Sequence, residues 1–335
     1  MDGSAATSHS MTMKAIVRHR YGSPDVLTLE DVEKPSVEDD GVLVRVRAAS
    51  LNALDWHFMR GAPVLARMGE GLRAPKTQGL GVDVAGEVEA VGKDVTEFRP
   101  GDAVFGRALG AFAQYVRAKP RSLVPKPANI SFEQAAAIAV AGSTALQGLR
   151  DGGQLTHGQR VLVNGGGGGV GTFAVQIAAA LGGEVTAVCG THNVELVRSL
   201  GASRVIDYSR EDFTRSGQRF DLILDVAANR SLAACARVLT PDGTLVVIGA
   251  AGSGRSIVPI AMRMLGAKVR SRFGRRRMFM LMAKITKEDL IVLKELIEAG
   301  KLTPVIDRTY PLNETAAAMR YLEQGHSRGK VVITI

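Results

Sequence analysis

The stretch that decides the fold reads Arg160-Val-Leu-Val-Asn164, Gly165-Gly-Gly-Gly-Gly-Val-Gly171 and Thr172-Phe-Ala-Val-Gln-Ile-Ala-Ala-Ala-Leu181. Its first segment predicts a buried strand, its second a tight turn and its third a helix, and this order gives a glycine pattern its meaning. Glycines at such a turn let backbone amides approach a pyrophosphate and let the helix pack closely on the strand. We therefore predict a dinucleotide-binding turn, because a flexible glycine linker would not be flanked by such sharply defined elements.

The register of the glycines is ambiguous, although their location is not. Gly166, Gly168 and Gly171 fit the pattern GxGxxG, while Gly165, Gly168 and Gly171 fit the wider GxxGxxG spacing. Amides at the start of the following helix are suited to hold the phosphates. The candidate cofactor-binding residues of this segment are Asn164, Gly166, Gly168, Gly169, Val170 and Gly171.

Strands alternate with helices in the sequence around and after this turn. Short apolar strands are predicted at 160–163, 184–188, 204–206, 222–224 and 244–248, with helices at 172–181, 193–200 and 231–238. Such an alternation is typical of an α/β fold, a doubly wound parallel sheet that is covered on both faces. Ligands bind at the carboxyl ends of the strands in such sheets. The residues at two of these ends, Asp225, Ala227, Ile248 and Gly249, are therefore further cofactor-binding candidates.

The chain before and after this region has a different pattern. Residues 13–130 contain short, turn-punctuated strands, which predict a small barrel-like β domain. An amphipathic helix at 287–299 is followed by a strand–helix–strand ending. Residues 1–12 are rich in Ser, Thr and Ala and predict a disordered leader rather than a signal peptide.

The composition is that of a globular protein. The chain has 335 residues, of which 46% are hydrophobic and 22% charged, and this length favours two domains. No apolar run reaches the roughly 18 residues that a bilayer span requires. The two cysteines, Cys189 and Cys235, are too few for a disulfide framework or a four-cysteine zinc cluster. We therefore expect a reducing, cytoplasmic setting without membrane partners.

The charge is strongly basic, with a formal net charge of +9. A dense basic segment at Arg270–Arg277 favours anionic ligands. No zinc finger, RNA-recognition signature or long basic helix accompanies it, so nucleic acid is an unlikely partner. A solvated basic face, close to a cofactor phosphate, is the simpler interpretation.

The preferred cofactor is indicated by the end of the second strand of the parallel sheet. An acidic residue at this position binds the ribose hydroxyls in NAD-specific sheets. Here the chain reads Cys189-Gly-Thr-His-Asn193, and Glu195 already belongs to the next helix. Thr191, His192 and Asn193 would accept a 2′-phosphate that a carboxylate would repel, so we predict NADP(H). The alternative for His192 is an ordinary exposed loop residue.

Several motifs together resemble the medium-chain dehydrogenase/reductase superfamily. They are Gly81-Val-Asp-Val-Ala-Gly86-Glu-Val-Glu-Ala-Val-Gly92, Phe98-Arg-Pro-Gly-Asp-Ala-Val-Phe-Gly106, Ala141-Gly-Ser-Thr-Ala-Leu-Gln147, the glycine loop, and Gly329-Lys-Val-Val-Ile333. The resemblance covers the chain from about Met13 onward, in the family's order. It is strongest to the zinc-independent branch of quinone oxidoreductases and alkenal reductases.

This resemblance implies a domain organisation and an assembly. We expect a GroES-like β-barrel catalytic domain at 13–138 that is completed by 286–335, and a Rossmann domain at 139–285. The cofactor would lie in the cleft between the two domains. Most relatives are homodimers, so the resemblance implies a homodimer here.

The resemblance also implies that the chain holds no catalytic zinc. Zinc-dependent relatives carry Cys where this chain has Asn52, and their Gly-His-Glu aligns with Gly81-Val82-Asp83. A catalytic zinc needs three protein ligands and an open position, which His57 alone does not supply. We therefore expect no metal.

Without a Lewis acid, the reaction favoured is reduction of an activated carbonyl compound, an enone, alkenal or quinone. In this branch Asn52 and Asp55 lie near the nicotinamide, and we carry both over as catalytic candidates. Relatives often have a Tyr close after that Asp, whereas this chain has Trp56-His57. His57 is therefore a substitute candidate for the proton donor, with packing in a helix as the alternative.

Three further residues are cofactor-binding candidates by family position. Thr144 would face the nicotinamide or simply cap a helix, and Tyr208 would flank the adenosine phosphate or be a surface aromatic. Lys330 would reach the cofactor or be a solvated charge.

Two other function classes stay open. A non-catalytic NADPH-binding protein or sensor is compatible with the missing tyrosine, and RNA binding is compatible with Arg270–Arg277. A zinc alcohol dehydrogenase is disfavoured. The identity of a small-molecule substrate is not encoded in any motif.

Overall fold

The structure, a computed structural model of the chain, describes residues 11–62, 67–248, 266 and 275–335. Its strands are β1 (Thr12–Val17), β2 (Thr28–Glu33), β3 (Val42–Ser50), β4 (Asp83–Val91), β5 (Ala103–Arg107), β6 (Tyr115–Ala118), β7 (Leu123–Pro125), β8 (Arg160–Asn164), β9 (Glu184–Cys189), β10 (Arg204–Asp207), β11 (Phe220–Asp225), β12 (Leu239–Val247), β13 (Arg277–Met280), β14 (Ile306–Pro311) and β15 (Lys330–Thr334).

The helices flank these strands. They are α1 (Ala53–Arg60), α2 (Arg67–Glu70), α3 (Phe132–Ala136), α4 (Ala139–Gln147), α5 (Gly169–Ala180), α6 (Val194–Ser199), α7 (Leu232–Arg237), α8 (Lys287–Glu298) and α9 (Thr315–Glu323). None of these described helices has the length and apolar character that crossing a bilayer would take.

The second sheet along the chain is parallel and has the order β10-β9-β8-β11-β12-β13. Its strands are apolar because both faces are covered: Leu162 faces one hydrophobic cluster and Val163 faces another. Helix α5, which follows β8, buries Phe173 and Val175 against the sheet. The α/β prediction with a Rossmann-type sheet is confirmed.

The first sheet joins segments that are distant in the sequence. Its order is β14-β15-β3-β4-β5-β7, with β6 paired to β3, and only β14 and β15 run parallel to each other. Strands β1 and β2 form a hairpin that contacts this sheet through a bridge between Ala15 and Ala113. The last described elements therefore complete a sheet that begins at residue 42.

Several element bounds differ from the sequence predictions. Helix α5 begins at Gly169, three residues earlier than predicted, so the end of the glycine run is already helical. Strand β1 begins at Thr12, within the predicted leader 1–12, of which residues 1–10 lie outside the described residues. The domain boundaries at 138/139 and 285/286 stay predictions.

Candidate functional site

A cleft of about 1410 Å³ opens between the two sheets. From the first-sheet side it is bounded by α1 and by the segment 322–328, and from the parallel sheet by the strand ends of β8, β9 and β11. Its lining includes six of the predicted site residues, His57, Gly168, His192, Asn193, Tyr208 and Ala227. The cleft lies at the carboxyl ends of the parallel strands, where such sheets bind nucleotides.

The glycine loop between β8 and α5 is shaped for close backbone approach. Gly165 adopts a φ of 94°, which favours glycine. A Cβ added at Gly171 would lie 2.0 Å from the carbonyl oxygen of Gly165, so only glycine fits there. Helix α5 starts after its N-cap Gly168, which leaves the N–H groups of Gly169 and Val170 without helical acceptors.

The glycine loop is hydrogen-bonded directly to the segment 324–329. The carbonyl of Gly167 accepts the N–H of Gly329 at 2.9 Å, and Gly168 bridges to the same residue. The stem of Lys330 lies 3.0 Å from the position of a Cβ at Gly169. The cofactor loop and the first sheet are thereby held together at one point.

One buried polar atom beside this loop has no partner within the described part of the chain. It is Oδ1 of Asn193, whose side chain packs so closely on Gly167 that a Cβ there would lie 2.5 Å from its Nδ2. An orphaned acceptor next to a glycine cradle is what a hydroxyl-bearing dinucleotide would satisfy. The residues present therefore fit a nicotinamide dinucleotide.

Asp225 and Asn164 lie beneath the cleft rather than on its surface. Both are buried, and Asn164 Nδ2 donates to Asp225 Oδ1 at 2.7 Å and to Asn229 Oδ1 at 3.0 Å. Asp225 Oδ1 also accepts the N–H of Ala228, a residue held at a φ of 51°. This network fixes the loop that presents Ala227 to the cleft.

The end of β9 meets a carboxylate that the sequence prediction missed. Thr191 Oγ1 donates to Asp207 Oδ2 at 2.6 Å, and Ser209 also donates to this carboxylate. These hydrogen bonds lower the pKa of Asp207, so it stays ionised. Arg210 lies 3.7 Å away and offsets part of its charge. The predicted role of Thr191 at a phosphate therefore competes with its bond to Asp207.

Asn52 belongs to a buried polar cluster at the inner side of α1. Lys330 Nζ contacts Asn52 Oδ1, donates to the carbonyl of Leu51 at 2.9 Å and lies 3.5 Å from Asp83 Oδ2. Asn52 Nδ2 donates to Asp83 Oδ2 at 3.0 Å, and Ser50 Oγ donates to the same oxygen at 2.8 Å. The ammonium of Lys330 thus faces the catalytic candidate, not the bulk solvent.

Asp83 anchors this cluster to α4. Its Oδ1 accepts the N–H of Val140 at 2.9 Å, in the first turn of that helix. Asp83 and Ser50 were not predicted as site residues. The acidic residue within the apolar run Gly81–Ala85 could have indicated a buried charge that needs a partner. Burial lowers the pKa of Lys330, while Asp83 and Asp55 oppose this shift.

Asp55 is fully buried and does not line the cleft. Its Oδ2 accepts the N–H of Asn52 at 2.8 Å in the capping box that starts α1. Burial, and the neighbouring charge of Asp83, raise the pKa of Asp55 to about 7. Asp55 therefore positions Asn52 and α1 in this structure.

His57 is the predicted catalytic residue that faces the cleft directly. Its Nδ1 lies 2.7 Å from the carbonyl of Ala62, which fixes the neutral ring with the proton on Nδ1. Trp56 packs against it edge-on at 4.7 Å and donates to Glu323 at 2.6 Å. The other ring nitrogen of His57, Nε2, carries a lone pair that makes no hydrogen bond to the described residues.

The remaining predicted residues are spread around the cleft. Thr144 is buried in the middle of α4 and donates to the carbonyl of Val140 at 2.6 Å, so it does not cap this helix, which begins at Ala139. Tyr208 is exposed at the cleft, and Ile248 is half-buried after β12. Gly249 lies outside the described residues.

The basic segment lies only partly within the described residues. Arg275 pairs with Asp242 at 2.6 Å, and Arg276 donates to the carbonyls of Thr240 and Leu239. Arg270 and Arg272 lie outside the described residues. The arginines that can be seen are engaged with the protein itself.

A catalytic metal does not fit the residues at Asn52. Val82, at the position of the family's histidine, is buried and apolar, and the ammonium of Lys330 lies against both Asn52 and Asp83. Across residues 11–62, 67–248, 266 and 275–335, no three His, Cys, Asp or Glu side chains are grouped to hold a metal ion. The metal-free expectation stays a prediction.

Two family models match the chain. Residues 38–128 match the alcohol dehydrogenase GroES-like domain, and residues 200–333 match the zinc-binding dehydrogenase model. The first match agrees with the predicted GroES-like domain. The second covers parts of both sheets, including β10 to β15.

Curated relatives extend over almost the whole chain. The chain is 34% identical to the 2-methylene-furan-3-one reductase of Solanum lycopersicum, covering 98% of this chain and 82% of the relative. It is 33% identical to the mitochondrial NAD(P)H oxidoreductase RTN4IP1 of Mus musculus, covering 99% and 91%. It is 32% identical to the chloroplastic NADPH-dependent alkenal/one oxidoreductase of Arabidopsis thaliana, covering 96% and 79%.

A solved structure has the same architecture. The quinone oxidoreductase from Coxiella burnetii superposes with a TM-score of 0.82 at 32% identity, covering 97% of this chain and 100% of that one. The glycine loop, the cleft and these matches agree with the resemblance seen in the sequence. The chain therefore belongs to the medium-chain dehydrogenase/reductase superfamily of NAD(P)-dependent oxidoreductases.

Proposed function

We propose that this protein reduces an activated carbonyl compound, an enone, alkenal or quinone, with NADPH. The observation that carries the proposal is the cleft itself, in which the glycine loop and His57 face each other with Asn52 directly behind the wall. Relatives named as alkenal/one, furanone and quinone reductases support this substrate class.

The chain's own residues would bind and orient the cofactor. The N–H groups of Gly169 and Val170, which have no helical acceptors at the start of α5, would hold the diphosphate, and Asn193 would offer its unpaired oxygen. Tyr208 and His192 border the adenosine side, where the basic side chain of Arg210 offsets Asp207. Bound NADPH would supply a hydride at the opposite, His57-lined end.

Electron flow in such a reduction explains which side chains matter. Hydride adds to the β-carbon of an enone, the C=C electron pair moves to the carbonyl oxygen as an enolate, and the α-carbon then takes a proton. Donors fixed before the reaction stabilise that oxygen without reorganisation. We propose that Asn52 contributes to this stabilisation, and that His57, when protonated, or solvent delivers the proton.

A substrate panel tests the proposal. NADPH oxidation should be measured at fixed protein concentration with an alkenal, a cyclic enone and a quinone, and with a saturated aldehyde as the control. We expect turnover with at least one of the first three and none with the saturated aldehyde. Tight NADPH binding without any turnover would instead indicate the non-catalytic sensor.

The cofactor preference, assembly and location are part of the same proposal. We propose NADPH over NADH, a homodimer and a cytoplasmic setting. The buried, unpaired state of Cys189 is compatible with a reducing compartment, and burial raises the pKa of its thiol to about 11. Sedimentation analysis tests the dimer, and comparison of kcat/KM for the two cofactors tests the preference.

A further inference from the structure

Lys330 is a buried cation whose donors are all used. Only 3% of the residue is exposed, and its ammonium faces the Leu51 carbonyl, Asn52 Oδ1 and Asp83 Oδ2. Three N–H donors meet three acceptors, so the group is held in one orientation. Burying such a charge is costly unless it is paired in this way.

Asn52 contacts this cation and lies next to the cleft lining in the sequence. It directly precedes Ala53, which lines the cleft, and it is 7% exposed. Its amide oxygen receives Lys330, and one amide N–H is held by Asp83 at 3.0 Å. The other N–H makes only a long contact of 3.4 Å with the carbonyl of Ser50. We infer that this weakly held N–H is the donor which a substrate oxyanion recruits when it binds beside Ala53.

The charge of Lys330 strengthens this donor. A cation bonded to an amide oxygen polarises the amide, so that its N–H groups become more positive. The same charge acts across a medium of low dielectric and attracts negative charge that develops in the cleft. Asp83 opposes the effect, but its Oδ2 is shared by Ser50 and Asn52 and its Oδ1 by Val140.

We propose that Lys330 is a positioning residue for hydride transfer, which orients and polarises Asn52 so that this amide stabilises the enolate oxygen. The inference rests on the proposed function. It replaces the sequence expectation that Lys330 reaches the cofactor, and it assigns a fixed ammonium to the place where zinc-dependent relatives bind metal.

A purely structural role must be separated from this one. If Lys330 only neutralised Asp83, its removal alone would still destabilise the protein, because a buried carboxylate would lose its partner. Lys330→Met combined with Asp83→Asn removes both charges. The oxygen of the new amide at position 83 can still accept the N–H of Val140, and its NH2 group can donate to Asn52 Oδ1 once the Asn52 amide, no longer held by Lys330, turns over.

The test compares this double variant with the unaltered chain and with Lys294→Met. Lys294 pairs with Glu298 on the surface of α8 and serves as the matched control. We expect the double variant to bind NADPH within about threefold of the unaltered chain while kcat falls about 100-fold, the effect of losing a preorganised donor. The single variant Lys330→Arg keeps a cation at this position. Its kcat should therefore lie between that of the double variant and that of the unaltered chain.

Each other result overturns the inference. Turnover of the double variant within about threefold of the unaltered chain would leave Lys330 as a counter-ion only. A large loss of NADPH affinity with normal kcat would make it a cofactor ligand. If the double variant does not fold, Lys330→Gln combined with Asp83→Asn, which also leaves no unpaired buried charge and keeps an N–H donor at position 330, is judged by the same criteria. An unaltered chain that reduces no substrate overturns the proposed function as well.

Discussion

The hydroxyl of Thr191 donates a hydrogen bond of 2.6 Å to the carboxylate of Asp207. Thr191 follows β9, while Asp207 is the last residue of the neighbouring parallel strand β10, where it pairs with Cys189. A carboxylate is thereby placed beside the loop that lines the cleft with His192 and Asn193, although no acid follows β9 in the sequence before Glu195.

Asp207→Asn should increase the preference for NADPH. The substitution keeps an acceptor for Thr191 but removes a negative charge that would repel a 2′-phosphate. We expect the ratio of kcat/KM for NADPH over NADH to rise about tenfold, which corresponds to about 1.4 kcal/mol. Asp39→Asn, at an exposed ion pair with Lys93, is the control. An unchanged ratio would mean that Asp207 does not sense the cofactor.

Gly171→Ala should destabilise the protein, whereas Gly168→Ala should not. A Cβ at Gly171 would lie 2.0 Å from the backbone oxygen of Gly165, while at Gly168 the nearest atom is 3.7 Å away. We expect a loss of about 1–3 kcal/mol in the free energy of unfolding for the first variant. Urea denaturation of both proteins without cofactor measures it, and equal stabilities would contradict the packing seen here.

Asn52→Ala should reduce turnover more than cofactor binding. The substitution deletes the acceptor of Lys330 and the amide that faces the cleft wall. We expect kcat to fall by about 10- to 100-fold with the NADPH dissociation constant changed little. Asn129→Ala, which removes a hydrogen bond to the carbonyl of Ile297, is the control. Unchanged turnover would remove Asn52 from the mechanism.

Asp55 should make the stability of the protein fall as the pH rises toward neutrality. Burial raises its pKa to about 7 from the ordinary value of 3.8, so the folded state holds a proton that the unfolded state has lost. The stabilising contribution is complete below about pH 4 and disappears as the pH passes through about 7. The slope is at most about 1.4 kcal/mol per pH unit.

Asp55→Asn tests this pH dependence. The new side chain still accepts the N–H of Asn52 but does not titrate. Between pH 4 and 7, the Asp55 contribution to the unfolding free energy of the unaltered chain should be lost, whereas the variant has no such contribution to lose. The difference in unfolding free energy between the two proteins should therefore shrink or change sign over this range. Asp102→Asn, which alters an exposed carboxylate bonded to the N–H of Arg99, should leave the slope unchanged. Parallel curves for the Asp55 variant would show that Asp55 is ionised throughout.

The local parts of the fold were readable from the sequence. The glycine run between β8 and α5 has a fixed stereochemical meaning, and the apolar strands predicted at 160–163 and 184–188 each end only one residue before β8 and β9 do. Helix α1 was not predicted as a separate element. It has only 8 residues, and its capping box is the main signal that marks it in the sequence.

The polar network behind the cleft was not readable in the same way. Lys330 meets Asn52 because β15 pairs antiparallel with β3, and Thr191 meets Asp207 because β9 pairs with β10. Local periodicity reports which face of a strand is buried, but it does not report which strand lies next to it. Partners that depend on strand order were therefore missed, among them the contacts of Lys330 with Asn52 and Asp83.

The position of β15 has a consequence for biosynthesis. This strand is inserted between β14 and β3, where Ile333 pairs with Ala49 and Val332 with Ser50. During translation, the nascent chain exposes that edge of β3 until residues 330–334 leave the ribosome, and an open edge invites wrong pairing. The cofactor cleft is thus finished late, and chaperones that shield β-strand edges are suited to protect the waiting chain.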